Sequence, residues 1–170
     1  MFHGWDSFYL LIGGASGALI GLLFVVETLT AGYERDKALA GASVYVTPIL
    51  FHFAAALVVS AVALTPGLSV AAAAGLVGLC AVAGLGYSIH VSVRLRLGRI
   101  PEPAHWSDFW FYGCAPSAGY LALGAAAAGA AASPAKGPYA IAAATLAILL
   151  IAVRNAWDLV TWLAPGANRS

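Results

Sequence analysis

Charge is what this sequence has least of. Only 9% of its 170 residues are Asp, Glu, Lys or Arg, where a soluble domain carries about 25%. Hydrophobic residues reach 62%, more than one core of this size can hide from water, so lipid is the solvent that fits the chain. A net charge of +1 offers no basic patch and argues against a nucleic-acid partner. There are two cysteines, Cys80 and Cys114. Both stand among small apolar residues, where inert packing is the expected role. Their expected depths differ, which argues against a disulfide.

Several chemistries are missing as well. No G-x-x-x-x-G-K-[ST] loop is present to drive a nucleotide-fuelled pump, and no H-E-x-x-H to build a zincin-type protease. Neither G-x-S-x-G nor a pair of catalytic aspartates occurs. No spacing motif indicates a metal site or a bound cofactor, so catalysis is not the leading expectation. Met1 to Asp6 lack the positive stretch of a signal peptide, and no A-x-A pattern closes the first apolar run. The first helix is therefore expected to stay in the mature protein.

What the sequence does have is long apolar runs. A helical span needs about 20 residues, and five runs qualify: 7–30, 44–65, 68–93, 108–132 and 139–163. The expected fold is an all-α membrane protein, a single transmembrane domain of about five helices over residues 1–170. Pro66-Gly67 is a turn signal and makes spans two and three a tight hairpin. Residues 133–138 make another short turn. Span four is the weakest, because its Ala-rich half is only mildly hydrophobic and Pro116 is expected to kink it; four spans is the competing topology.

Basic residues set the orientation. Arg35, Lys37, Arg94, Arg96, Arg99 and Arg169 fall on one side of this topology and Lys136 alone on the other. The richer side is expected to be cytoplasmic, with the N-terminus outside and the C-terminus inside. Trp5 and Tyr9 are expected at the outer interface, and Trp106, Trp110, Trp157 and Trp162 at the inner one. The stretch 100–106, with two prolines and a Trp, is expected to lie along the inner surface.

Small residues let membrane helices approach closely. Gly13, Gly17 and Gly21 form a G-x-x-x-G-x-x-x-G stripe on span one, and Gly75 and Gly78 mark a similar face of span three. These faces serve either internal contacts or a homo-oligomer interface, and a homo-oligomer is expected.

Ionisable groups inside a span cost about 2.5 to 3.5 kcal/mol each, so those retained carry information. Glu27, His52, His90, Arg154 and Asp158 are all expected in the cytoplasmic third or at its edge, leaving the outer two-thirds apolar. Arg154 and Asp158, at i and i+4, share a face and can pair, with Asn155 beside them. Glu27, His52, Arg154, Asn155 and Asp158 thus compose one candidate polar cluster. Each also has a plain structural reading. Arg154 and Asp158 neutralise each other, Glu27 and His90 sit at the interface, and His52 hydrogen-bonds a neighbouring helix. Tyr45, Tyr87, Tyr112 and Tyr120 are available as partners, without an assigned role. A two-histidine haem site between His52 and His90 is conceivable, though their depths differ.

Three strings resemble, as a set, small uncharacterised multi-pass membrane proteins of bacteria: Trp5-Asp6-Ser7-Phe8-Tyr9, Gly21-Leu22-Leu23-Phe24-Val25, and Arg154-Asn155-Ala156-Trp157-Asp158-Leu159-Val160-Thr161-Trp162. The resemblance implies a bacterial inner-membrane location and brings no functional residues. The leading expectation is a small homo-oligomeric ion channel or transporter acting on an ion or small solute. The alternatives are a non-catalytic scaffold subunit and a haem-binding or redox protein.

The orientation is directly testable. A cysteine placed at Lys136 is expected to react with an impermeant maleimide from outside intact cells. One placed at Arg35 is expected to react only after permeabilisation.

Overall fold

In lipid, a backbone must satisfy its own hydrogen bonds, and a helix does so within one segment. The computed structural model is helical throughout its described elements. It describes residues 1–30, 45–97, 106–130, 132, 133 and 135–163. Arg35, Lys37, Arg99, Arg169 and most of the 100–106 stretch lie outside these, as do the side chains of Trp106 and Trp162.

Among the described residues, five helices follow in order. They are α1 (Asp6–Thr30), α2 (Thr47–Leu64), α3 (Val70–Arg96), α4 and α5 (Gly137–Leu163). Helix α4 joins three pieces: an α turn at Trp106–Asp108, a π-helical stretch at Phe109–Cys114 and an α-helix at Ala115–Ala130. The ends have local causes. Pro48 stands in the first turn of α2, where its missing N–H costs nothing. Ser69 caps α3, its hydroxyl accepting from the Ala72 amide. Between α2 and α3, Gly67 takes a positive φ of 72°, which the expected Pro-Gly turn requires.

Helices α1, α2, α3 and α5 are each long and apolar enough to cross a membrane. The chain thus has the make-up of a multi-pass membrane protein. Helix α4 differs because its regular α-helical part has only 16 residues. It nevertheless runs alongside its neighbours for their length. Gly113, Tyr120 and Gly124 meet Ser92, Gly84 and Ala81 of α3 in turn, which is antiparallel. Asn155, Ile148 and Gly137 of α5 meet Phe111, Gly119 and Ala130 of α4, again antiparallel. Contacts of Gly13 with Ser60 and of Cys80 with Ala55 make α1–α2 and α2–α3 antiparallel too. The result is an up-and-down bundle. The start of α1, the α2–α3 turn and the α4–α5 turn share one end, and the end of α5 lies at the other.

Small residues close the interior, and the glycine stripes supply only some of them. Helix α3 buries Ala73, Val77, Ala81, Gly84, Ser88, Val91 and Leu95, a stripe with steps of three and four. Gly75 and Gly78 lie off this stripe, and a Cβ at either would meet nothing within 4 Å. On α1 the buried face is Tyr9, Ile12, Ser16 and Leu23. Gly13 packs on Ser60, whereas Gly17 and Gly21 face outward with nothing within 4 Å. The glycine stripes on α1 and α3 are thus mostly outward faces. Inside, Gly113, Gly119 and Gly137 each face a close neighbour, and at Gly84 the Tyr120 ring covers the Cα position, so that a Cβ there would overlap the ring.

Tyr9 also departs from expectation. It is fully buried, ringed by Phe2, Trp5 and Phe8 at centroid distances of 5.1, 6.4 and 5.0 Å. Its place at the helix end is taken by Tyr139, which is 67% exposed and stacks edge-on with Trp5 at 4.7 Å. Both cysteines are half-buried and free.

Gly84→Ala is expected to destabilise the bundle by about 1–3 kcal/mol through overpacking against Tyr120. Gly78→Ala, on an open face, should be neutral or stabilise by about 0.5–1 kcal/mol. Paired thermal unfolding curves in one detergent read both.

Candidate functional site

A histidine inside a membrane protein needs a partner, because unpaired polar groups are costly away from water. His52 lies on α2 and is 1% exposed. Its Nδ1 is 2.9 Å from the Tyr120 hydroxyl of α4. Phe51 stacks on Tyr87 beside it, at 4.6 Å. Tyr120 is itself seated over Gly84 of α3, so the pair joins α2, α3 and α4. The other ring nitrogen, Nε2, is buried and has no hydrogen-bond partner among the described residues. If the Tyr120 hydroxyl donates to Nδ1, Nε2 carries the proton and is a free donor. With the opposite tautomer it is a free acceptor.

The depth of this pair corrects the expected layout. Tyr120 meets Gly84 at the middle of α3, so His52 sits at mid-bundle and not in one outer third. The reason is that α2 is short, 18 residues, and begins well inside the end reached by α3 and α5. His52 is six residues into α2 yet halfway along its neighbours.

The remaining polar residues gather at the end of the bundle where α5 finishes. Pro116 organises them. Lacking an N–H, it cannot bond the Tyr112 carbonyl, and its ring crowds that turn. The helix widens over Phe109–Cys114, and the Ala115 amide reaches back to the Trp110 carbonyl. That leaves the Phe111 carbonyl without its usual helical partner. Asn155 of α5 supplies one, its Nδ2 donating to Phe111 O at 2.8 Å. The Tyr112 hydroxyl donates in return to the Asn155 backbone carbonyl at 2.9 Å. Asn155 is fully buried, and its Oδ1 accepts from Arg154 Nη1 at 3.2 Å. The Arg154 guanidinium lies 3.8 Å over the Phe111 ring and 3.7 Å from Asp158 Oδ2. Nearby, the Tyr45 hydroxyl donates to Asp108 at 3.3 Å and its ring stands edge-on to Tyr112 at 5.1 Å.

The five sequence candidates are thus divided. Arg154, Asn155 and Asp158 are brought together with Phe111 and Tyr112. Glu27 is half-buried near the end of α1. His52 is held apart at mid-bundle, about 9 Å along the axis from the level of Arg154 at the usual helical rise. His90 is exposed on α3, off the face that carries His52's partner, so the two histidines do not form an axial pair. Among the described residues no three metal-ligating side chains converge.

Two further buried groups went unseen in the sequence. Tyr9 Oη and Ser16 Oγ on α1 are enclosed and without partners among the described residues, like His52 Nε2. Ser60, Ser88 and Thr145 are equally buried, but each bonds its own helix four residues back. The half of the bundle nearer the start of α1 is therefore not wholly apolar. Tyr120 left one legible trace: it follows Gly119 in an otherwise Ala-rich helix, large beside small.

No protein-family model, curated protein or solved structure matches the chain.

Asn155→Leu leaves the Phe111 carbonyl unpaired and is expected to cost about 1–3 kcal/mol. Asp158→Asn weakens only a half-exposed ion pair and should cost about 0–1 kcal/mol. Chemical unfolding of the two variants beside the parent, in the same detergent, separates them.

Proposed function

We infer that the chain is a membrane transport protein, a small channel or transporter that works as a homo-oligomer in a bacterial inner membrane. The observation that supports this best is His52. An ionisable side chain at mid-bundle, tied at one nitrogen and open at the other, is costly to keep unless it serves a passing solute. The orientation follows the basic residues, with the α1 start outside and the α5 end cytoplasmic. The group around Arg154, Asn155 and Asp158 then stands at the cytoplasmic end of the route, and Glu27 lies near the same end of α1.

The outward faces of α1 and α3 support the assembly. Gly17 and Gly21 on α1 and Gly75 on α3 are exposed, and a Cβ at any of them would meet nothing within 4 Å. Such surfaces admit a second helix closely. The same observation favours the second reading, a non-catalytic scaffold subunit that offers these faces to a larger membrane complex.

The test is flux into liposomes containing the purified protein, with Glu27→Gln and His52→Ala alongside. Transport is expected above protein-free liposomes. A change with His52→Ala places the route inside the protomer, whereas a change with Glu27→Gln alone places it at an oligomer axis along α1. No flux of ions or small solutes, with all proteins folded and assembled, moves the reading to the scaffold.

A further inference from the structure

Resting on the transport reading, we propose that the solute is small, uncharged and hydrogen-bonding, of the size and chemistry of a polyol or amide, and that it is recognised by His52 Nε2 together with the Ser16 and Tyr9 hydroxyls.

Three buried polar atoms lack partners among the described residues: Tyr9 Oη, Ser16 Oγ and His52 Nε2. They belong to α1 and α2, which lie directly against each other at Gly13 and Ser60. Their spacing follows a sequence of depths. Ser16 is two turns beyond Tyr9 on the same face, about 10 Å along the axis. From the Gly13–Ser60 contact, His52 is level with Gly21, about 8 Å further on. Three unsatisfied groups thus span about 18 Å of a hydrocarbon layer about 30 Å thick. Enclosed polar atoms of this kind are normally satisfied, and here lipid offers them nothing.

The chemistry of the three decides the class of solute. A hydroxyl donates and accepts, and the neutral His52 imidazole, its Nδ1 engaged by Tyr120, offers one of the two roles at Nε2. None of the three is a carboxylate or a guanidinium. The charged candidates Glu27, Arg154 and Asp158 are only half-buried and lie towards the other end of the bundle. A dehydrated ion at the depth of Ser16 would face a desolvation penalty of several kcal/mol. The usual remedies are rings of carbonyls or charged side chains. The helical carbonyls at this depth are engaged in their own helices, so that remedy is missing. A neutral solute with both donors and acceptors pays little of the ionic penalty and matches each of the three groups.

The experiment compares glycerol and urea with K⁺, Na⁺ and Cl⁻ on the full chain in liposomes. Stopped-flow light scattering reads the neutral solutes and trapped dyes read the ions. Glycerol or urea is expected to enter faster than in protein-free liposomes, with no ion flux above that background. His52→Phe and Ser16→Ala are each expected to slow entry about fivefold, the worth of one hydrogen bond. Ser16→Ala removes one oxygen and almost no volume, so it carries the test should His52→Phe not assemble. Ion flux without neutral-solute flux overturns the proposal and leaves the transport reading standing. Neutral flux that is unchanged in folded Ser16→Ala and His52→Phe also overturns it, because the route then bypasses these groups. No flux of either kind from assembled protein ends both readings.

Discussion

The seating of Tyr120 over Gly84 is the contact on which the bundle's interior depends. A tyrosine ring at mid-helix fits only where the facing helix has no side chain, and Gly84 provides that place on α3. The same ring carries its hydroxyl to His52 on α2. One residue of α4 therefore fixes the approach of α3 and the rotation of α2 together. The geometry also explains why a helix with only 16 regular α-helical residues holds its position between two helices of 27. Its larger buried side chains, Tyr112, Tyr120 and Leu123, are held by partners that leave room for them or bond to them.

A second dependency starts from Pro116. Proline removes one hydrogen bond and displaces another, and in water the freed carbonyl would find solvent. In lipid it must find protein. The π-helical turn at Phe109–Cys114 and the Asn155 amide are two halves of one repair. The repair binds α5 to α4 where their ends would otherwise fray. It also gathers Arg154, Phe111 and Tyr112 into a rigid group, with the guanidinium spread on an aromatic face and not extended toward water. Local irregularities of this kind are frequent near functional sites, and here the cause is visible in a single residue.

The approximate limits of the five described helices were legible in the sequence, although four of them and not five are long and apolar enough to span a membrane. Apolar runs of the right length, a Pro-Gly turn and a short polar break predicted five helices, each within about three residues of where it is found. Which face of each helix turns inward was not legible. In a soluble helix the buried stripe contrasts with polar residues. Here Leu10, Leu11 and Phe24 face outward while Ile12 and Leu23 face inward, and both sets are equally apolar. Glycine spacing on α1 and α3 therefore did not tell interior faces from outward ones. The polar cluster was only half legible. Arg154, Asn155 and Asp158 are neighbours in sequence and remain so in space. The depth of His52 depends on where α2 begins relative to the other helices, which no local pattern encodes. The partners Tyr120 and Tyr112 come from a different helix 68 and 43 residues from the groups they bond.

The aromatic residues at the two ends of α5 have a consequence for the kind of membrane the protein inhabits. Tyr139 is 67% exposed and Trp157 72% exposed, and both are residue types that settle at the boundary between acyl chains and headgroups. Eighteen residues of helix separate them, a rise of about 27 Å. Trp110, 55% exposed, flanks the same end as Trp157. Helix α5 thus carries its own gauge of bilayer thickness, set close to the average hydrocarbon depth of about 30 Å and slightly under it. An upright helix of this gauge matches a thin bilayer. A thicker one must compress around the protein, because tilting would shorten the gauge further. Lipid composition therefore acts as a mechanical load on the helix that also holds Asn155, Arg154 and Asp158.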